Sequence, residues 1–477
     1  MPNLDDNLAF APAHELADMI ADKQVSSVEL TKLYLSRMER LDGQLNSYLT
    51  PTPEIALDQA TKADEATERG ESLGALHGLP VSIKDLHMTA GVRTTGGSLA
   101  FKDRVPDANA TCVQKVLDAG AVMLGKTNTP EFGLLGANEN RLGEPCRNPW
   151  NTERTSGGSS GGAGASIVAG LCALGTGGDG GGSIRIPASF NGIYGIKPTQ
   201  GRTSSYTGVD VPPAVNLISQ QGPMSRTVRD TAILLQVMSG YDPQDPGSLR
   251  APVPDFVGAL DRGIEGLKFG WSADFGYTPV DQEVAQSAEA GAKAFEEMGC
   301  SVEESALALD TPFDTWIVFF GGNAYAVNGH LLDDPDDPLT WYARWTIEQG
   351  AGFTMTDYIR ALGNRDRMIQ QFMDEFEKFD LLLSPTMPVT AFPTDEYPAD
   401  IDGVKAYPTA AWGFVPFTHP INTIGFPAAS IPCGFDSDGM PIGLHIIGRP
   451  GDEETVLAAS AAFEEARPWA HHRPQVS

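Results

Sequence analysis

Between Gly157 and Gly182 the chain carries glycines singly, in pairs and in a final triplet, and they enclose Ile167, Val168, Leu171 and Leu174. A flexible linker this rich in glycine would also be polar. Glycines interleaved with aliphatic residues instead predict a buried helix of small residues, tightly packed and flanked by loops with backbone angles that other residues avoid.

The rest of the chain alternates helix and strand patterns around this segment. Residues 12–42 read as two helices. Ser26 and Glu29 have capping-box spacing, and Leu30, Leu33, Tyr34, Met38 and Leu41 recur on one face. Residues 53–69 read as a polar helix. The apolar run from Gly78 to Lys84 predicts a buried strand, Thr111–Ala119 a helix and Ala121–Gly125 the next strand. Further on, the patterns predict helices at 228–238, 281–298 and 452–466, strands at 267–271, 301–304 and 380–384, and a mainly helical stretch over 311–370. A hairpin is expected around Ser437-Asp-Gly439. The alternation indicates an α/β protein, and neither a linker nor an internal repeat breaks it into separate domains.

Composition narrows the function. Of 477 residues 41% are hydrophobic and 20% charged, an ordinary globular balance, and the net charge is −29. An acidic surface repels phosphate backbones and anionic lipid, so neither nucleic acid nor a membrane is an expected partner. The five cysteines lack Cys-x-x-Cys spacing, which argues against a disulfide framework and for reduced thiols in a cytoplasmic protein. The first residues lack the basic and apolar regions of a signal peptide, and no apolar run is long enough to span a bilayer.

Two serines sit among the glycines, in Gly157-Gly-Ser159-Ser-Gly-Gly162 and Asp179-Gly-Gly-Gly-Ser183-Ile-Arg185. A serine that attacks a carbonyl needs exposure, a base, and donors where the oxyanion forms. Consecutive glycines let backbone N–H groups converge without interfering Cβ atoms, so Gly180, Gly181, Gly182 and Ser183 are candidates for an oxyanion hole. A phosphate loop would show Gly-Lys-Ser/Thr or Gly-x-Gly-x-x-Gly. Ser183 also lacks the Gly-x-Ser-x-Gly of a nucleophile elbow. None of the eight histidines pairs with another at metal-ligand spacing. Lys84, at the end of an apolar strand, could serve as the base if desolvation lowers its pKa. By spacing alone, a lysine there is ordinarily a solvated surface charge.

Three blocks carry a resemblance: His77-Gly-Leu-Pro-Val-Ser-Ile-Lys84-Asp, Gly125-Lys-Thr-Asn-Thr-Pro-Glu-Phe132, and Asn148-Pro-Trp-Asn through Ser159 to Gly195-Ile-Lys-Pro-Thr199. Gly222–Asp230, Gly425-Phe-Pro and Gly439–Gly448 extend it. The chain resembles the amidase signature family over most of its length, least so at about 250–375. The resemblance implies a single domain over 1–477, with a central mixed twisted sheet covered by helices on both faces and the variable segment near the substrate pocket. It makes Ser183 the nucleophile, Ser159 the bridging serine after a cis peptide bond to Gly158, and Lys84 the base. Ser159 and Ser183 have the family's separation of 24 residues. It assigns oxyanion and substrate binding to Gly180, Gly181, Gly182 and Gly133, and needs no metal and no organic cofactor. One departure is Gly178, where the family often has a hydroxyl-bearing residue, and a looser oxyanion loop is expected from it. Asp179 and Arg185 are read as fixing the loop.

The expected activity is cleavage of an amide, carbamate or ester bond through an acyl-enzyme, by a monomer or homodimer acting on a small molecule. Trp316, Phe319, Phe320, Tyr325, Trp341, Tyr342, Trp345, Phe353, Trp412, Phe414 and Phe417 in the variable regions favour an apolar or aryl substrate. The alternative is the glutaminase component of a tRNA-dependent amidotransferase. A non-catalytic binding protein would have lost Lys84, Ser159 or Ser183, and all three are present.

Overall fold

One eleven-stranded sheet runs through the molecule. Its order from edge to edge is Tyr48–Pro51, Val122–Thr127, Pro80–Lys84, Leu174–Asp179, Gln220–Ser225, Tyr194–Lys197, Ala428–Phe435, Pro441–Ile447, Leu381–Pro385, Lys268–Trp271 and Ser301–Glu304. The computed structural model describes residues 5–208, 216–310 and 312–477. Pro80–Lys84 pairs parallel with both Val122–Thr127 and Leu174–Asp179, whereas Leu174–Asp179 runs antiparallel to Gln220–Ser225. The sheet is therefore mixed, and helices flank it.

Local chemistry sets the helix boundaries. Ser26 and Glu29 form the expected reciprocal capping box at the start of Ser27–Leu45. Asp281 caps Gln282–Glu297 by accepting from the amides of Glu283 and Val284. The predicted helix at 228–238 is Val228–Met238, and the expected hairpin forms between Ala428–Phe435 and Pro441–Ile447. The stretch expected to be mainly helical contains Pro312–Asn328, Trp341–Gly352 and Met355–Phe376.

The glycine-rich centre is a helix, Gly161–Val168, buried on every side. Its small residues are needed for close approach. A Cβ at Gly162 would collide with the Ser47 carbonyl and the Asn128 backbone, and one at Gly164 would come within 2.7 Å of Asn191 Nδ2. The sequence pattern predicts loops on both sides of this helix. On the C-terminal side the structure has instead the strand Leu174–Asp179, in the middle of the sheet. Its glycines make room for neighbouring side chains: a Cβ at Gly175 would lie 2.8 Å from Ser82 Oγ, and one at Gly177 2.8 Å from Ile184. This strand runs beside Pro80–Lys84 and delivers the chain to Ser183.

Among the described residues, no helix is long and apolar enough to cross a membrane, and no group of three or more His, Cys, Asp or Glu side chains is arranged to hold a metal ion. Cys112, Cys146, Cys172, Cys300 and Cys433 are free thiols.

Candidate active site

Lys84 closes its strand with a fully buried side chain. Its Nζ lies 2.7 Å from Ser159 Oγ, 2.8 Å from Ser160 Oγ and 3.2 Å from the Gly178 carbonyl oxygen. Burial penalises the ammonium form and brings the Lys84 pKa down to about 7, against a smaller upward pull from the Asp179 charge. A lysine in this state can take up a proton near neutral pH, which a solvated lysine cannot.

Ser159 follows a cis peptide bond from Gly158, as the resemblance implies. A Cβ at Gly158 would collide with the Ala137 carbonyl. Gly133, with φ +73°, stands over the same serine, and a Cβ there would lie 3.1 Å from Ser159 Oγ and 2.8 Å from Leu86. The Ser160 amide donates to the Ser183 carbonyl at 3.1 Å, tying the two serine loops together.

Ser183 is 8% exposed and lines a small cavity with Gly133, Leu135, Gly136, Gly181, Ile186, Trp316, Phe320, Trp412 and Val415. No side chain in that lining is charged. Of the eleven aromatic residues singled out by sequence, Trp316, Phe320 and Trp412 reach it. The other eight do not line it; Trp345 backs Trp412 in a stack, with centroids 5.5 Å apart, and Trp341 is an exposed surface residue.

Asp179 organises the loop before Ser183. Its carboxylate accepts from the amides of Gly182 at 2.7 Å and Ile184 at 3.2 Å, from Arg185 Nε and Nη2 at 2.9 Å each, and from Asn422 Nδ2 at 2.8 Å. Burial alone would raise its pKa, but the Arg185 guanidinium and these donors hold it well below the usual carboxylate range. Arg185 is itself anchored by the Thr418 carbonyl and Asn422 Oδ1. The pair fixes the loop, and in doing so it narrows the expected oxyanion set. The Gly182 N–H is engaged by Asp179, which leaves Gly180, Gly181 and Ser183 as the backbone donors to consider.

The space beside Gly178 is filled. A Cβ there would lie 2.6 Å from Gln221 Oε1, so Gln221 takes the room that a side chain at 178 would need. Gln221 Oε1 in turn accepts from His87 Nε2 at 2.6 Å, and His87 Nδ1 lies 3.1 Å from Thr176 Oγ1. Burial, then the charges of Lys84 and Lys126, push the His87 pKa down to about 3, so the ring is neutral. Gln221, His87 and Thr176 thus form a chain of polar side chains beside Gly178, at the end of the strand that leads to the serine loop. Ser160 and Gln221 were not singled out for the site by sequence, and Trp316 was singled out only as a pocket aromatic, not as a partner of the serine loop. Only the Ser-Ser pair after Gly158 gave any sign of Ser160.

A family model described as Amidase matches residues 29–457. The curated glutamyl-tRNA(Gln) amidotransferase component from Moorella thermoacetica is 39% identical over 98% of this chain and 99% of its own. The solved structure of a bacterial aryl acylamidase of the amidase signature family superposes with a TM-score of 0.90, at 32% identity, over 97% of each chain. A 6-aminohexanoate cyclic dimer hydrolase superposes with a TM-score of 0.88, at 29% identity, over 98% of this chain and 99% of its own. The fold and these likenesses are those of a hydrolase acting on carbon–nitrogen bonds. The chain belongs to the amidase family, whose signature enzymes hydrolyse amide bonds.

Proposed function

We propose that this protein hydrolyses small aryl or apolar amides, and the related carbamates or esters, with Ser183 as nucleophile, Ser159 as proton bridge and Lys84 as base. Neutral Lys84 takes the proton of Ser159 as Ser159 takes that of Ser183. Ser183 Oγ bonds to the carbonyl carbon, and the charge that develops on its oxygen meets the backbone donors of the Gly180–Ser183 loop. On collapse the carbon–nitrogen bond breaks and the proton returns through Ser159 to the leaving amine. Water then attacks the acyl-enzyme by the same relay, releasing the acid and Ser183. Gly133 keeps the approach to Ser159 open. The steps require no metal or organic cofactor, and the chain acts in the cytoplasm as one catalytic unit, alone or as a homodimer.

The observation that carries the substrate class is the cavity at Ser183, whose walls are aromatic and aliphatic with no charged side chain. Burying a phenyl-sized group against such walls contributes about 1.5–3 kcal/mol. Free glutamine would need partners for its ammonium and carboxylate groups, because burying unpaired charges is strongly unfavourable. The glutaminase reading stays open on one count, the likeness to the glutamyl-tRNA(Gln) amidotransferase component. The test compares an anilide and an aryl carbamate with glutamine, using the purified chain alone at saturating substrate. Cleavage of the aryl substrates without glutaminase activity is expected. Rapid glutamine hydrolysis with neither aryl substrate cleaved would reverse the ranking.

A further inference from the structure

Trp316 lies near the start of the helix Pro312–Asn328, in the segment least like the family, yet it touches the loop that carries Ser183. Its indole Nε1–H donates to the Gly180 carbonyl oxygen at 2.8 Å. The ring stacks on Phe320 at 4.3 Å between centroids and on His419 at 5.5 Å, and it is 2% exposed. This fit needs bare backbone opposite: a Cβ at Gly181 would come within 2.7 Å of Trp316 Cζ2.

The Gly180 carbonyl and the Gly181 N–H are two ends of one trans peptide plane, so they point in opposite directions. Whatever holds the carbonyl aims the amide. The next two peptides are held in the same way. Thr418 Oγ1 donates to the Gly181 carbonyl at 2.6 Å while the Gly182 N–H goes to Asp179. The Ile186 amide donates to the Gly182 carbonyl at 2.7 Å, which sets the Ser183 N–H. Three successive carbonyls thus each have a donor. The one on Gly182 comes from the Ser183 block itself, whereas the donor on Gly180 comes from the wall of the substrate cavity.

We infer that Trp316 is a positioning residue for the reaction, aiming the Gly181 N–H at the oxyanion and tying that donor to the pocket wall a substrate ring would meet. The inference rests on the reading of Ser183 as nucleophile. A ring packed on Trp316 then acts on the group that stabilises the transition state, so it raises kcat as well as lowering KM.

The test replaces Trp316 with 3-benzothienylalanine, which keeps the bicyclic shape and puts sulfur where the N–H was, and separately with Phe. Removing an oxyanion donor outright lowers kcat by about 10²–10³-fold, so loss of the group that aims one is expected to lower kcat on an anilide by about tenfold or more. KM should stay within about twofold. Affinity for a trifluoromethyl ketone, which forms a tetrahedral adduct on the serine, should fall by a similar factor, and affinity for a non-covalent amide analogue should not. The acid limb of the pH profile should not move, because Lys84 is untouched. An isostere with unchanged kcat, or one whose KM alone rises, overturns the inference. If Trp316→Phe fails to fold, the isostere decides. Ser183→Ala measured alongside separates the two claims: an active Ser183→Ala protein removes the nucleophile reading, whereas an inactive one beside a fully active isostere removes only the role of Trp316.

Discussion

The two regions that meet at Ser183 are built in opposite ways. From Lys84 to Ser225 the site depends on missing side chains. A Cβ at Gly175 would press on Ser82, one at Gly178 on Gln221, and one at Gly182 on Thr418. From Pro312 to Gly352, and again at Trp412, the site depends on large rings: Trp316 on Phe320, and Trp345 on Trp412. A proton relay needs atoms placed within a few tenths of an ångström, which bare backbone and multiply bonded groups such as Lys84 Nζ and the Asp179 carboxylate favour. A ring wall needs volume and offset stacking, which tolerate more variation. Damage to the first region should therefore stop every substrate alike, and damage to the second, apart from Trp316 with its hold on the Gly180 carbonyl, should sort one substrate from another.

The largest effect that would sharpen this contrast is expected from Ser183→Ala. With the proposed nucleophile gone, kcat/KM should fall by at least about 10³-fold on anilide, carbamate and ester alike, since loss of a nucleophile removes most of the catalytic advantage of such a site. One hydroxyl leaves a loop, so the melting temperature should barely change. Parallel progress curves and thermal melts check both parts. Loss confined to one substrate class would break the contrast.

Next comes the proposed base, Lys84. Lys84 sits at about 7 because burial disfavours its charged form. In the proposed role it is inactive when charged below that pH and active when neutral above it, so kcat/KM should rise about tenfold per pH unit on the acid side and level off above about 7. Lys84→Arg keeps a cation that does not deprotonate, and it should lose about 10²–10⁴-fold at every pH. The same limb should appear with every substrate. A limb that shifts with the identity of the leaving group would mean that the relay depends on the ring wall.

The two regions also differ in how much the residues alone disclose. The Ser26–Glu29 cap, the buried Lys84 strand and the serine loops were legible because each is local: a few residues at fixed spacing determine the geometry. The strand Leu174–Asp179 was not, because glycine-rich segments read as loops and its glycines matter only once Ser82 and Ile184 lie against them. The Gly182 amide could not be assigned to Asp179 from sequence, since several amides in one loop compete for one carboxylate and the winner depends on the three-dimensional turn. Gln221 and Trp316 are farther still from Gly178 and Gly180 in the chain, 43 and 136 residues respectively, and no spacing rule links them. The aromatic count pointed to an apolar pocket but could not say which three of eleven rings would form it.

The smallest effect concerns one of those three rings and should be selective. Trp412 is 4% exposed, lines the cavity, and is stacked on Trp345 from behind. Trp412→Ala removes a wall and leaves Lys84, Ser159 and the Asp179–Arg185 brace in place. An aryl substrate should lose a contact of about 1.5–3 kcal/mol, which is about 10–150-fold in kcat/KM at 1.4 kcal/mol per tenfold. A substrate with only methyl-sized groups does not reach the ring and should change less than about twofold. Removing a buried tryptophan also lowers stability by about 3–5 kcal/mol, so Trp412→Leu, which keeps more of the volume, serves as the folded control and should show the same selectivity at smaller amplitude. Kinetics on an anilide and on acetamide, each below the melting transition of the variant, give the ratio directly. Equal losses on both substrates would mean that the ring wall supports the relay itself, and the division between the two regions would then fail at Trp412.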